Sequence, residues 1–387
     1  MDGPAISLVL RLFDGLPAPR ARNRSHLLGD IVTIAILATL CGSEGWEDIQ
    51  EWAEAHEPWL KTFCTLRAGI PAHDTFDDVF KRLDPVAFER CFTTWTSTLV
   101  ESSRERGAAG KFVAIDGKTL RRSFDHAWSR TPIHLVSAFV AQNQLVLGQV
   151  KVDAKANEIV AIPKLLDLLD LRRTTVTIDA IGCQKAIARQ IRAKRAHYVL
   201  ALKDNQRSLH DAVERTFAEA RVERFVGWRH DYAAGVEAGH GRRETRRVWV
   251  TSEIEHIAEA KEWPGLSCIV MVESTREPDN GTKTTETRYF IASHKKPDAA
   301  MLADAVRSHW TIENQQHHVL DTTMREDDCR IRKGHGPENF ARLRRIALNQ
   351  LRRVKVIRKG KEKKLSLRLK RKKCGWDHNF LLSALLA

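Results

Sequence analysis

The chain has 387 residues, 43% of them hydrophobic and 29% charged, with a formal net charge of +14. This describes an ordinary soluble protein, long enough for two or three domains with full cores. Its seven cysteines are odd in number, scattered and without a Cys-x-x-Cys pair, which argues for reduced buried thiols and against a cysteine-based zinc site.

The first residues lack a basic, then apolar, then small-residue signal pattern, so export is not expected and a cytoplasmic, nucleoid-associated location is. Asp30 to Cys41 is a continuous apolar stretch of helix length, too short to cross a membrane, and reads as a core helix. From Trp46 to Leu60, Trp46, Ile49, Trp52, Ala55 and Trp59 recur at spacings of three and four, which is one helical face. Thr75-Phe76-Asp77-Asp78 resembles a capping box opening a helix through Leu83, and Pro85 starts the next helix, to about Val100. The polar segment from Ser102 to Gly110 closes a helical region over 1–105.

From Lys111 the period changes. Phe112–Asp116, His134–Ala141, Leu145–Asp153, Thr174–Asp179 and His197–Leu202 are short β-branched runs, with helical stretches at Glu158–Leu171 and Gln184–Arg195. The order of three strands, helix, strand, helix, strand predicts a mixed α/β sheet that begins with a meander. Between residues 205 and 295, Arg224–Tyr232, Arg243–Thr251, Ser267–Ser274 and Thr284–Ser293 read as strands of an inserted antiparallel subdomain. Helical character returns from Asp298 and continues over 296–350, where Arg342–Arg353 is also helical. Sixteen Lys or Arg and one acid lie between Arg342 and Lys373, so this stretch carries +15 and the rest of the chain −1. Such a basic block, with a tail over 351–387, suits a polyanion partner through phosphate neutralisation.

Three acids stand where a metal-dependent phosphoryl-transfer site needs them. Asp116 closes the run from Phe112, Asp179 closes the run from Val176, and Glu313 lies in a helical stretch. They are 63 and 134 residues apart. Hard oxygen ligands converging from separate elements can hold two Mg²⁺ ions on one scissile phosphate. Other readings compete. Asp116-Gly117 between apolar runs is a common hairpin signal. His309, Glu313 and His317, at i, i+4 and i+8, could form a zinc face. Asp327 and Asp328 could replace Glu313 as ligands. Basic clusters at Lys118 with Arg121-Arg122, Lys203, His240-Gly241-Arg242-Arg243 and Arg330-Ile331-Arg332-Lys333 suit a phosphate track. A P-loop, a Gly-x-Ser-x-Gly elbow and a Rossmann fingerprint are missing, so ATP hydrolysis, serine hydrolysis and dinucleotide use have no support.

Almost end to end, the chain resembles the H-repeat-associated insertion-sequence transposases, a branch of the bacterial DDE transposases. The N-terminal match includes Leu40-Cys41-Gly42, Ile70-Pro71 with His73-Asp74-Thr75-Phe76, and Leu83-Asp84-Pro85. In the core it includes Ala114-Ile115-Asp116-Gly117-Lys118, Asn157-Glu158-Ile159, Ile178-Asp179-Ala180 with Gly182-Cys183-Gln184, and Leu202-Lys203-Asp204-Asn205-Gln206. His240-Gly241-Arg242, Glu244-Thr245-Arg246, His309-Trp310 and Ile312-Glu313-Asn314 complete it. The resemblance implies an RNase H-like catalytic fold over 106–204 and 296–350, a β-rich insertion over 205–295, and Asp116, Asp179 and Glu313 as the catalytic metal-binding triad. The wider superfamily's Tyr-Arg-Glu-Lys signature is replaced here by Val306, His309 and Leu320 around the Glu, and Gln316 and His318 stand where the branch has Leu and Trp.

The function expected is a DNA transposase that cleaves element ends and joins their 3′-hydroxyls to target DNA with two Mg²⁺ ions, Mn²⁺ being able to substitute. The alternatives are a nuclease of the same fold that only hydrolyses and a catalytically decayed DNA-binding protein. The expected partner is double-stranded DNA, both insertion-sequence ends and target, with a homodimer assembling on it and no membrane. Lys118, Lys203, Arg242, Arg332, Lys370, Arg371, Lys372 and Lys373 are the candidate DNA contacts.

Overall fold

The computed structural model describes residues 13, 15–19, 25–105, 112–124, 131–153, 157–239, 241–279, 281–296 and 298–387. The boundary expected over 102–110 falls mostly outside them, as do the first residues and His240.

The N-terminal region is helical. α1 (Leu28–Cys41) is apolar on every side and buried along almost its whole length. Its one charge, Asp30, is tolerated there because its carboxylate accepts the Leu66 N–H at 2.9 Å and the Thr65 N–H at 3.2 Å. The single helix expected over 46–60 is two, α2 (Trp46–Ala55) and α3 (Glu57–Leu60), with Pro58 in the first turn of the second, where a missing N–H costs least. α4 (His73–Arg82) begins ahead of Thr75, with Ala72 at its N-cap and the His73 N–H taken by Gln50 Oε1, so the capping-box expectation fails. α5 is Pro85–Glu105.

A nine-stranded sheet follows, in the order β3-β2-β1-β4-β5-β9-β8-β7-β6. β1 (Phe112–Thr119), β2 (His134–Val140) and β3 (Leu145–Val152) form the antiparallel meander. After α6 (Glu158–Leu168), β4 (Thr175–Ile178) pairs parallel to β1; after α7 (Lys185–Ala193), β5 (His197–Leu202) pairs parallel to β4. α8 (Arg207–Val222) leads into β6 (His230–Gly239), β7 (Arg242–Thr251), β8 (Cys268–Pro278) and β9 (Thr284–Ala292), all antiparallel. β9 pairs with β5, so these four strands extend the same sheet. The strand expected from Arg224 starts only at His230. Arg224 and Phe225 have φ of 52° and 58°, left-handed values that no strand accommodates.

α9 (Ala299–Thr311) is opened by Asp298, whose carboxylate accepts the Met301 N–H. A π-helical turn, Ile312–His317, joins it to α10 (His318–Thr322). α11 (Gly336–Arg353) then runs between the N-terminal helices and the sheet, buried from Gly336 to Leu351. Its polar side chains complete the packing. Asn349 donates to the Val146 carbonyl and accepts the Val146 N–H, at 2.8 and 2.9 Å. Thr96 donates to the Leu147 carbonyl and Glu89 accepts the Gln149 N–H, both at 2.7 Å. Helix side chains thus close the free edge of β3, which would otherwise be open to another strand.

The C-terminal residues are not a solvated tail. A short hairpin, β10 (Ile357–Arg358) with β11 (Lys361–Glu362), precedes α12 (Leu367–Trp376) and α13 (His378–Leu385), which pack on α1 and α11. Much of the basic block is consumed inside the protein. Arg342, Arg344 and Arg345 are fully buried; Arg342 pairs with Glu89 at 2.6 Å and Arg345 with Glu326 at 2.7 Å. Arg371 donates to the Thr323, Thr39 and Ser43 carbonyls, tying α12 to the end of α1. Lys370 donates to the Leu351 and Val354 carbonyls, and Lys373 pairs with Asp377. Of the four expected DNA contacts in α12, Lys372 alone is exposed.

This division is testable. Arg371→Ala leaves buried carbonyls without a donor and should cost about 3 kcal/mol in urea unfolding. Lys372→Ala should stay within about 0.5 kcal/mol of wild type.

Candidate active site

Asp116 lies inside β1, not at its end. The strand continues through Gly117 to Thr119, with Asp116 opposite Ser137 and Gly117 opposite Val136 on β2. The hairpin reading of Asp-Gly is therefore overturned. What demands glycine here is space: a Cβ on Gly117 would fall 2.1 Å from Glu158 Oε1 and 2.4 Å from His134 Nε2. Asp179 follows the last residue of β4, beside Asp116's strand, and its Oδ1 lies 3.4 Å from the Gly182 N–H. Gly182 is also space-limited, since a Cβ would meet Ile178 Cγ2 at 2.3 Å. The Asp179 turn is held by the next strand's loop, where Asn205 donates to the Ala180 carbonyl and Gln206 to the Cys183 carbonyl.

Glu313 comes from the π-helical turn and is exposed. Turns of this kind insert one extra residue into the helix ladder and recur at functional sites. The same turn breaks the regular i, i+4, i+8 alignment behind the zinc reading. His309 instead hydrogen-bonds Thr177 Oγ1 at 3.2 Å, and His317 Nδ1 stands 3.6 Å from Asp116 Oδ2. Burial holds both imidazoles neutral, pushing His309 down to about 4 and His317 to about 3, the latter helped by the Arg345 and Lys118 charges.

Electrostatics link the acids. Burial, then the charges of Glu158, Asp179 and Glu313, push the Asp116 carboxyl up to about 7, against one opposing hydrogen bond from the Gly117 N–H. Burial and Glu158 also raise Asp179, while the Gly182 and Ile181 N–H groups and Lys203 oppose the rise. Asp179 and Glu313, far apart from it in sequence, thus both act on Asp116, joined by Glu158, which the spacing of acids did not single out. Its motif, Asn157-Glu158-Ile159, was visible, but a glutamate opening a helix has an ordinary explanation in the helix dipole.

The donor set is suited to hard cations. Among the described residues, the group whose ligand atoms all lie within 4.8 Å of one another is His210, Asp211 and Glu214 on α8, so the four central carboxylates are spread wider than a single-ion nest. Two ions ~4 Å apart, each ~2 Å from its oxygens, span up to ~8 Å between outer ligands.

The predicted basic residues divide. Lys118, two residues along β1 from Asp116, is buried among Asp321 at 2.7 Å, Asp327 at 2.9 Å and Glu326 at 3.7 Å, so it anchors α10 and the 326–328 turn to β1 and cannot reach phosphate. Asp327 and Asp328 are engaged by Arg121 and Arg122 in the same turn. Arg332 lies over the Phe124 ring at 4.7 Å and donates to the Arg122 carbonyl. Lys203 is exposed near Asp179. Arg242 lines a cleft of about 490 Å³ between the outer strands and α9, with Arg246, Arg276, Arg288 and Arg307, and the cleft reaches Glu313. Arg288 covers the Trp310 ring there at 4.5 Å.

Residues 107–350 match the family model described as "Transposase DDE domain", and residues 10–96 match one described as "DDE_Tnp_1-associated". The chain belongs to the DDE transposase family. Among its relatives, "Putative transposase YncI" of Escherichia coli O157:H7 is 39% identical over 370 residues, covering 94% of this chain and 93% of that protein. "H repeat-associated putative transposase YhhI" of E. coli K12 is 38% identical, covering 93% and 92%, in line with the H-repeat branch. A cryo-EM structure of the piggyBac transposase synaptic complex with hairpin DNA aligns with 98% of this chain and 80% of that one, at a TM-score of 0.44 and 11% identity.

The crowding of Asp116 sets a pH dependence in metal-free buffer. Its carboxyl titrates near 7 when folded and near 3.8 when unfolded, so the native state binds the extra proton between these values. Stability should therefore fall as pH rises from about 4 to 7. Asp116→Asn removes that loss. Its melts in EDTA should show a gain over wild type of up to about 4 kcal/mol above pH 7 and none below pH 4.

Proposed function

We propose that this DDE-family transposase cleaves DNA at element ends and joins the freed 3′-hydroxyls to target DNA, using an RNase H-like core and two divalent cations. The observation that carries the reading is the convergence of charge on Asp116 from Asp179 and Glu313, residues with no local reason to meet. The mixed sheet with its opening meander supports the core assignment. The all-oxygen donor set and its spread support two hard cations, Mg²⁺ with Mn²⁺ as substitute, held by Asp116, Asp179 and Glu313. Bound there, they would supply Lewis acidity at the scissile phosphate and activate the attacking water or 3′-hydroxyl.

The chain's own residues do the positioning. Asp116 is fixed by pairing with Ser137 on β2, one residue past the end of the β4 pairing at Ile115, Asp179 by its turn and by the Asn205 and Gln206 ties, and Glu313 by the π-helical turn. Lys203 and the arginines of the cleft beside Glu313 offer charge along which a phosphate backbone could be led to the acids. In cleavage, water's oxygen forms a new P–O bond and the phosphodiester releases a 3′-hydroxyl. In joining, that hydroxyl attacks a target phosphodiester and displaces the next 3′-oxygen. No covalent protein–DNA bond is required.

A strand-transfer assay with the flanking element ends tests this directly. Asp179→Asn and Glu313→Gln should each lower cleavage by about 1,000-fold or more while DNA affinity changes little, because distant phosphate contacts are untouched. Mg²⁺ or Mn²⁺ should support turnover. Cleavage without joining would favour the hydrolytic nuclease, and an intact fold that binds but never cuts would favour a decayed copy.

The hairpin of β10 and β11 carries the exposed basic residues Lys359, Lys361, Lys363 and Lys364. Neutralising all four should flatten the slope of log K against log salt by up to about 3.6, at about 0.9 for each phosphate no longer neutralised. The drop in affinity should be equal for element-end and unrelated DNA. An unchanged slope would move the DNA contacts elsewhere, with the arginine-lined cleft the next surface to neutralise.

A further inference from the structure

The two edges of the nine-stranded sheet differ. β3, at one end, is closed by side chains of α5 and α11, with Thr96, Glu89 and Asn349 taking its backbone groups. β6, at the other end, pairs only with β7, and eight of its ten residues are exposed. Half of the N–H and C=O groups of an edge strand point away from its neighbour, a row ready to pair with another strand.

Open edges are ordinarily blunted by lysine, proline or a bulge. β6 has no Lys, Arg or Pro, and its register with β7 is unbroken from His230 to Gly239. Its two acids are tied on the face that α9 covers. Asp231 accepts the Ala299 N–H at 2.7 Å, and Glu237 pairs with Arg307 and, at 3.5 Å, with Arg246. Alternation then puts Tyr232, Ala234, Val236 and Ala238 together on the other face. Tyr232 is 46% exposed and Val236 53%, and the Tyr232 ring packs on Trp249 at 5.2 Å.

The strand is complementary to itself. Two copies running antiparallel about a twofold axis at Gly235 set Tyr232 opposite Ala238 and Ala234 opposite Val236, large against small on one apolar face. On the other face Asp231 meets Gly239 and Glu237 meets Ala233, so no acid stands opposite an acid.

We propose that β6 pairs with β6 of a second copy of this chain, joining the two sheets into one. The twofold axis of an antiparallel pair stands perpendicular to the sheet. Both copies therefore keep α9 on the same side, and with it the arginine-lined cleft that reaches Glu313. The pairing needs neither DNA nor metal, and it stands or falls apart from the reaction at the acids.

Sedimentation equilibrium of the full chain, without DNA or metal, tests it over about a hundredfold range of concentration. Wild type should pass from monomer to dimer as concentration rises. Val236→Lys sets like charges close together across the axis and should weaken the dimer about tenfold or more. Val236→Glu should do the same, and an equimolar mixture of the two variants should recover a dimer. Thermal melts check that each variant folds. Gly235→Cys probes the axis itself, at a position where a Cβ has open space in the monomer. Mild oxidation should join it into a covalent dimer, and should leave wild type, with its own thiols, unjoined. A wild type that stays monomeric throughout would leave the edge to a strand of some other protein and overturn the pairing. A dimer that Val236→Lys leaves unchanged, or a folded Gly235→Cys that oxidation does not join, would overturn it as well.

Discussion

Like charge brought together by strand order is the constraint on which this molecule turns. β1 lies between an antiparallel partner and a parallel one, so its residue 116 is flanked by the end of β4 and faced by the turn after α9. Any fold that achieves this pays in electrostatic repulsion, seen here as an Asp116 carboxyl displaced to about 7. Stability elsewhere has to offset that repulsion. The buried pairs around Glu326 are placed to do so: Arg345 at 2.7 Å and Lys118 at 3.7 Å bind it, and Lys118 is itself part of β1, two residues from Asp116. Positive charge two residues along the same face of the strand holds the segment after Glu313 against it.

The same logic explains how the chain uses arginine. Arg342, Arg344, Arg345 and Arg371 carry four of the sixteen positive charges of the basic block, and all four are buried. Their planar, multiply donating heads satisfy carbonyls and carboxylates at the junctions of α11, α12 and the N-terminal helices. Asn349 and Glu89 do the corresponding work on the edge of β3. Polar groups here form the seams between helices and sheet, and each is paired on more than one side. Among the described residues no single helix is long and apolar enough to cross a membrane, and α1 is instead sheathed by these elements.

The inserted strands change the shape of the site without changing its acids. Because β9 adds to β5, the sheet continues past β5, and its outer strands face α9 across a cleft lined by arginines. Several of those arginines pair locally, Arg246 with Glu244 at 2.6 Å and Arg288 with Glu286 at 2.7 Å. The cleft therefore presents a lattice of mixed charge with a positive excess, opening on Glu313.

Much of this was legible in the residues themselves. Alternating and continuous apolar runs marked the five strands and two helices from Phe112 to Leu202 in order, because burial on a sheet imposes a period of two and on a helix one of 3.6. The motifs around Asp116, Asp179 and Glu313 pointed to the family. Three things were decided only by the tertiary structure. Whether Asp116-Gly117 turns or continues depends on pairing to Ser137 and Val136 of β2, which no local signal at the two residues announces. Whether a basic residue meets solvent or a carbonyl depends on what packs over it, so composition could not separate Arg371 from Lys372. Glu158 joined the acids only once α6 was laid against Gly117, since an approach from the opposite face of a sheet has no periodicity to announce it.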